Sequence, residues 1–151
     1  MFKELIVKPE KSSGLEVLLA SVGRAPVAPF EQQLAIRLTQ AGEGHVQFEA
    51  CPTAEGANAS GAMHGGWIAG VLDAVSGAAV QTVLRPGETY TTLSLQINYL
   101  RAVYPGHPVR IEGQIIRAGK RIVTAEASLS DAKGPLAIST ASCLRLEAAK
   151  A

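Results

Sequence analysis

The sequence predicts an α+β domain in which one long helix lies against a curved antiparallel sheet. Three observations lead there. The run from Gly65 to Leu84 is apolar nearly all round and so needs cover on most sides. Four alternating stretches follow it with no further helical pattern between them. Their connections, at Tyr104-Pro105-Gly106, Ala118-Gly119-Lys120 and Asp131-Ala132-Lys133-Gly134, are short enough to force antiparallel neighbours. A sheet wrapping a single apolar helix satisfies all three.

Taken in order, residues 13–24 read as an opening helix, with Ser13 as N-cap and Leu15, Val17, Leu18 and Leu19 as apolar cover. Pro26 and Pro29 end it. Residues 32–40 and 44–51 read as two strands, since Leu34, Ile36 and Leu38 alternate, as do Val46, Phe48 and Ala50. Gly42-Glu43-Gly44 joins them as a hairpin. A Gly, Ala, Asn and Ser-rich loop covers 52–63, and the long helix, about 65–84, stops at Arg85-Pro86-Gly87. The last four strands are lined by Leu93, Leu95, Ile97 and Tyr99, then Val109, Ile111, Gly113 and Ile115. Val123, Ala125, Ala127 and Leu129 line the third, and Leu136, Ile138, Thr140, Ser142 and Leu144 the fourth.

Composition narrows the function classes. A chain of 151 residues with 47% hydrophobic content builds a core as one domain without staples. Only 18% of residues are charged, which leaves more surface to bury against another subunit. Fourteen basic against thirteen acidic residues give no electrostatic footprint for nucleic acid or an anionic membrane. Cys51 and Cys143 stand apart, with no metal-ligand spacing, and read as reduced core or strand residues of a cytoplasmic protein. Met1-Phe2-Lys3-Glu4 lacks the apolar core of a signal peptide. Asp73, Ser76, Gln81 and several glycines in the apolar run favour a buried helix over a membrane span.

The chemistry concentrates around that helix. Asp73 is the one ionisable side chain between Gly65 and Leu84. A carboxylate in apolar surroundings is costly unless paired, hydrogen-bonded or at a cavity. It is therefore either a hydrogen-bonded structural Asp or a catalytic base or nucleophile tuned by burial. At the helix entrance, Gly65 and Gly66 leave first-turn amides uncovered by side chains, which suits an oxyanion; a plain loop-to-helix turn would also use glycine. Gly65 and Asp73 are eight residues apart, roughly 12 Å along a straight helix. One carbonyl cannot touch both groups of one helix. The spacing predicts a homodimer with two composite sites, each joining Gly65 of one copy to Asp73 of the other.

His64-Gly65-Gly66 followed by Asp73, with Asn58 and Gly61 before it, resembles the PaaI-like hotdog thioesterases of the 4-hydroxybenzoyl-CoA thioesterase superfamily. The resemblance continues through Asn98-Tyr99-Leu100-Arg101 and Ala118-Gly119-Lys120-Arg121 and covers roughly residues 30–148, leaving 1–29 as a helical extension. It implies a hotdog fold, a dimer that often pairs into a tetramer, and hydrolysis of a thioester, usually acyl-CoA, with no metal or redox cofactor. By position, the Gly65 amide would polarise the thioester carbonyl, with Gly66 beside it. Asp73 would activate water or attack as nucleophile, and Asn58 would orient water or substrate. Thr92, with Thr91 as alternative, falls where related enzymes carry a site Ser or Thr. Two departures stand out: Ala102-Val103 follows Arg101 in place of Pro-Ala, and Gly77 sits where one clade carries a Thr.

Several residues admit two readings. His64 is a proton carrier or, as a histidine at a helix start, a group that shapes the turn. Ser76 bonds Asp73 and the substrate or bonds back to its own helix. Arg101, Lys120 and Arg121 meet CoA phosphates or are solvated charges at strand ends. The competing functions are a hotdog hydratase or dehydratase, for which the sequence shows no His-Phe-Pro type motif, and a non-catalytic acyl-CoA binder.

Overall fold

The structure is a computed structural model that describes residues 11–26 and 28–147. The reading of Met1-Phe2-Lys3-Glu4 therefore lies outside the described residues. Helix α1 (Gly14–Ser21) starts at Ser13, whose side chain accepts from Glu16 N–H while the Glu16 carboxylate accepts from Ser13 N–H at 2.7 Å. This reciprocal cap is why the chain turns helical there. A second short helix, α2 (Pro29–Leu34), follows, with Pro29 in its first turn and Ala35 left-handed at its end. Residues 32–34 are thus helical rather than extended. Pro29 presets the first helical φ, and the alternation of Leu34 with Ile36 and Leu38 runs across the Ala35 break without belonging to one strand.

Six strands make one antiparallel sheet: β1 (Ile36–Gly42), β2 (His45–Ala50), β3 (Glu88–Tyr99), β4 (Val109–Ala118), β5 (Ile122–Asp131) and β6 (Gly134–Glu147). Their spatial order is β1-β2-β4-β5-β6-β3. The long helix α3 (Gly65–Gln81) carries the chain from β2 across the sheet to the far edge, where β3 pairs with β6 alone. The connection at Tyr104-Pro105-Gly106 therefore does not join neighbours as expected: residues 100–108 cross back toward β2, bonding Met63 N–H through Val103 and the Pro52 carbonyl through Gly106, and deliver β4 between β2 and β5. Val71, Leu72, Val75, Ala79 and Val80 of α3 are fully buried against Val46, Ile111, Val123 and Leu129 of the sheet. A single helix wrapped by a curved antiparallel sheet is the hotdog arrangement, here with extra helix at the N-terminal side. No helix among the described residues is long and apolar enough to cross a membrane.

The sheet approaches α3 closely, which decides which residues face inward. A Cβ on Gly113 would stand 2.8 Å from the Val75 carbonyl oxygen, so β4 needs glycine there. The buried line of β6 is Ala137, Ser139, Ala141 and Cys143, while Ile138 faces out, 41% exposed. This inverts the face expected from Ile138, Thr140, Ser142 and Leu144: close packing selects small side chains over greasy ones. On β3, a bulge at Leu93 shifts the register between Thr92 and Ser94. Tyr90 and Thr92 face inward before it and Leu95 and Ile97 after it, and Leu93 is left 56% exposed. Cys143 is buried as expected, whereas Cys51, just past β2, is exposed; both are free thiols.

Candidate active site

Asp73 lies midway along α3, half-buried, facing the edge strand β3. The bulge at Leu93 keeps Thr92 inward, and the Thr92 hydroxyl donates to Asp73 Oδ1 at 3.0 Å. Among the described residues Asp73 Oδ2 has no hydrogen-bond partner. Behind Thr92, the buried thiol of Cys143 points at the Thr92 hydroxyl at 3.9 Å. Burial pushes that thiol's pKa up, and the nearby Asp73 carboxylate adds to the shift. Thr91, the other candidate on this strand, is exposed.

A second cluster forms the start of α3. His64 is its N-cap, with Nδ1 accepting from the Gly66 N–H at 2.9 Å. The Gly66 amide is therefore occupied rather than free, and His64 shapes the turn. No partner for the Gly65 N–H is found among the described residues. The Gly65 carbonyl accepts from the Tyr99 hydroxyl at 3.0 Å, which pins this end of α3 to β3. Asn58 sits in the loop just before, where its side chain accepts from Ser60 N–H and its backbone bonds Ala62 and Gly61. Asn58, His64, Gly65 and Gly66 thus share one end of the helix, and Asp73 with Thr92 lies about two turns away.

The remaining candidates scatter. Ser76 is fully buried and its hydroxyl has no partner; it bonds neither Asp73 nor its own helix. Arg101 is engaged with Asp131 at 2.8 Å and with the carbonyls of Pro135 and Gly134. That bond holds the Asp131 carboxyl below the usual carboxylate range. Lys120 and Arg121, in the β4–β5 turn, are exposed and their side chains have no partner among the described residues. They lie at the opposite end of the sheet from Arg101: Arg121 is bonded to Arg145, which pairs with Tyr90, whereas Arg101 bonds Leu136, next to the Ala137–Tyr99 pair.

Residues that sequence reasoning did not single out surround Asp73. The Tyr90 ring seats on Gly77, one turn beyond Asp73. Burial pushes its phenol pKa well up, with Cys143, Asp73 and Glu31 adding to the shift. From α2, Phe30 and Leu34 cover Gly70, one turn before Asp73. Glu31 beside them is half-buried, and that burial raises its carboxyl pKa. The available signal was glycine at 70 and 77 inside a helix, which marks the close approach of something bulky.

Chemically, the arrangement offers one carboxylate with a free oxygen beside an open strand edge, and one unpaired helix-start amide too far away to serve the same carbonyl within one chain.

Residues 60–138, more than half of the chain, match the thioesterase superfamily. A protein of Saccharolobus solfataricus that carries an esterase name is 37% identical over 76 residues, 50% of this chain. The chain spans about half the length, 53%, of that curated relative. A phenylacetic acid degradation-related protein of Ralstonia eutropha JMP134, described as a thioesterase, is 25% identical with a TM-score of 0.77, covering 87% of this chain and 98% of that one. A thioesterase-type protein of Streptococcus pneumoniae TIGR4, crystallised with coenzyme A, shares the fold at 22% identity and a TM-score of 0.69, covering 76% of this chain and 91% of that one.

Proposed function

The chain belongs to the thioesterase superfamily, and on that premise we propose that it hydrolyses an acyl-CoA thioester to the free acid and CoA as a homodimer. Each site joins Asp73 of one copy to the partner subunit's Gly65. The observation that carries this reading is Asp73 itself: held by Thr92 through one oxygen, it keeps the other free on a helix with no second charge. The edge strand β3 supports the dimer, because its twelve residues pair on one side only and leave a row of backbone donors and acceptors for a second copy. Such dimers pairing again would give a tetramer.

The thioester carbonyl oxygen accepts a hydrogen bond from the partner subunit's Gly65 amide, which stabilises the charge that develops there. As general base, Asp73 takes a proton from water while the water oxygen bonds to the carbonyl carbon; the C–S bond then breaks and the CoA thiolate takes up that proton. As nucleophile, Asp73 instead forms a mixed anhydride that water cleaves to the same products. His64 keeps the helix start in shape through its cap, and Asn58 closes the adjoining loop. At the nucleotide end, Lys120 and Arg121 are the cations open to phosphate oxygens. The coenzyme A complex of the Streptococcus pneumoniae relative supports the substrate class.

The test is release of free thiol from a panel of acyl-CoAs by the wild type and Asp73→Asn. Loss of roughly a hundredfold or more in kcat for the variant is expected. Full rate in Asp73→Asn would remove Asp73 from the chemistry.

A further inference from the structure

Two neighbouring glycines open α3, and they carry no side chain to fix how their peptides point. The Gly65–Gly66 peptide is nevertheless held at both poles. Its N–H, on Gly66, donates to His64 Nδ1 at 2.9 Å, and its carbonyl, on Gly65, accepts from the Tyr99 hydroxyl at 3.0 Å. The peptide before it is held through the His64 carbonyl, which accepts from the Trp67 N–H at 2.9 Å. The Gly65 Cα joins these two planes, so fixing both leaves the Gly65 N–H one direction. The Tyr99 ring also lies against Gly65, where a Cβ would stand 3.6 Å from its Cε1, Cζ and hydroxyl oxygen. His64 belongs to the same turn and moves with it, whereas Tyr99 comes from β3. Tyr99 is anchored in its turn. Two residues on, the Arg101 guanidinium donates to Asp131 Oδ1 and the Gly134 carbonyl at 2.8 Å each, and to the Pro135 carbonyl at 3.1 Å. The Leu100 and Arg101 N–H groups both donate to the Leu136 carbonyl. Earlier on the same strand, Thr92 holds Asp73. One strand therefore grips α3 at both of the points the reaction uses.

We propose that Asn98-Tyr99-Leu100-Arg101 acts as a clamp on the helix start: Tyr99 is a positioning residue that aims the Gly65 amide, and Arg101 fixes Tyr99 instead of meeting CoA. The proposal rests on the hydrolase reading above and adds how its amide is held. An amide stabilises a developing oxyanion best when it already points at it, with no reorganisation left to do. A misplacement of about 1 Å can cost on the order of a hundredfold in rate. A glycine pair is the part of a helix start most free to drift by that much, and the phenol bond ties it to the sheet. The Arg101 donors are committed to the β5–β6 turn, so a phosphate would have to displace the Asp131 carboxylate. Tyr99 is 53% exposed, so losing its hydroxyl opens no hole in the core.

The test is kcat and KM, measured separately, for the wild type, Tyr99→Phe and Arg101→Met. The substrate is whichever of butyryl-, benzoyl- and palmitoyl-CoA the wild type turns over fastest. Tyr99→Phe keeps the ring and is expected to lose about tenfold in kcat with KM within about twofold, the pattern of a group that acts on the transition state alone. Arg101→Met should lose about threefold in kcat, again with KM unmoved, whereas a phosphate contact would show in KM. In protein labelled with ¹⁵N-glycine, the Gly65 amide signal, identified by its loss in Gly65→Pro, should shift in Tyr99→Phe while the Gly134 signal stays in place. Tyr99→Phe carries the test should Arg101→Met not fold. Wild-type kcat and an unmoved Gly65 signal in Tyr99→Phe, or a loss confined to KM in Arg101→Met, would overturn the proposal and leave the hydrolase reading standing. A wild type that releases no CoA from any of the three would overturn both.

Discussion

Thr92 holds Asp73 from across the helix–sheet interface, its hydroxyl 3.0 Å from Oδ1, and the bulge one residue later is what turns Thr92 inward. The bond fixes one carboxylate oxygen and leaves the other for chemistry. Thr92→Val keeps the shape and removes the donor. Its kcat/KM should fall roughly tenfold, the weight of one hydrogen bond to a charged group, whereas Thr92→Ser should stay near wild type. Steady-state thiol release checks both. An unchanged Thr92→Val would mean that the carboxylate needs no such anchor.

Ser76, one turn from Asp73, is the opposite case. It is fully buried and its hydroxyl finds no partner, which is the costly state for a polar group. Ser76→Ala should therefore raise stability by about 1 kcal/mol in urea unfolding and leave thiol release unchanged. A drop in activity would instead place this hydroxyl at the substrate.

Glu31 supplies a pH-dependent stability that can be separated from catalysis. Burial raises its carboxyl above the unfolded value. A group raised in this way favours the fold while protonated, and that contribution fades as pH rises through the folded value. At neutral pH the ionised, half-buried carboxylate is a cost. Glu31→Gln should then melt a few degrees higher than wild type at pH 7, with the gap closing as pH falls below the ordinary carboxylate range. Melting curves across that range decide it; a constant gap at all pH values would assign the effect to packing.

Much of this fold was legible in the chain. The Gly65–Leu84 run announced a covered helix because no other arrangement hides an apolar surface on all sides, and Ser13 with Glu16 announced a cap. The pairing of β4 with β5 and of β5 with β6 followed from short turns, but the place of β3 did not: it pairs with β6 at the edge and not with β4, its successor in the chain. What stayed hidden depended on distance in sequence. The inward line of β6 is set by how near α3 lies, so Ala137, Ser139 and Ala141 displace the greasier Ile138. The bulge at Leu93 and the left-handed Ala35 each break an alternation that reads as continuous. Asp73 could be picked out as a lone charge, and its Thr92 partner by resemblance. Tyr90, Phe30 and Glu31 could not, since each reaches Asp73's surroundings only after the sheet and the N-terminal helices have folded onto α3.

The division of each site between two copies can be read from mixed dimers. Gly65 is the first residue of α3 and His64 before it is extended, with ψ 139, so Gly65→Pro removes the amide hydrogen while suiting the helix start. Asp73→Asn removes the base. Each variant alone should be inactive. Co-refolding them in equal amounts makes half of the dimers mixed, and each mixed dimer carries one site with both lesions and one site with none. Thiol release should recover to about a quarter of the wild-type rate. No recovery above the single variants, with mixed dimers demonstrated by differently tagged copies, would contradict a site shared between subunits.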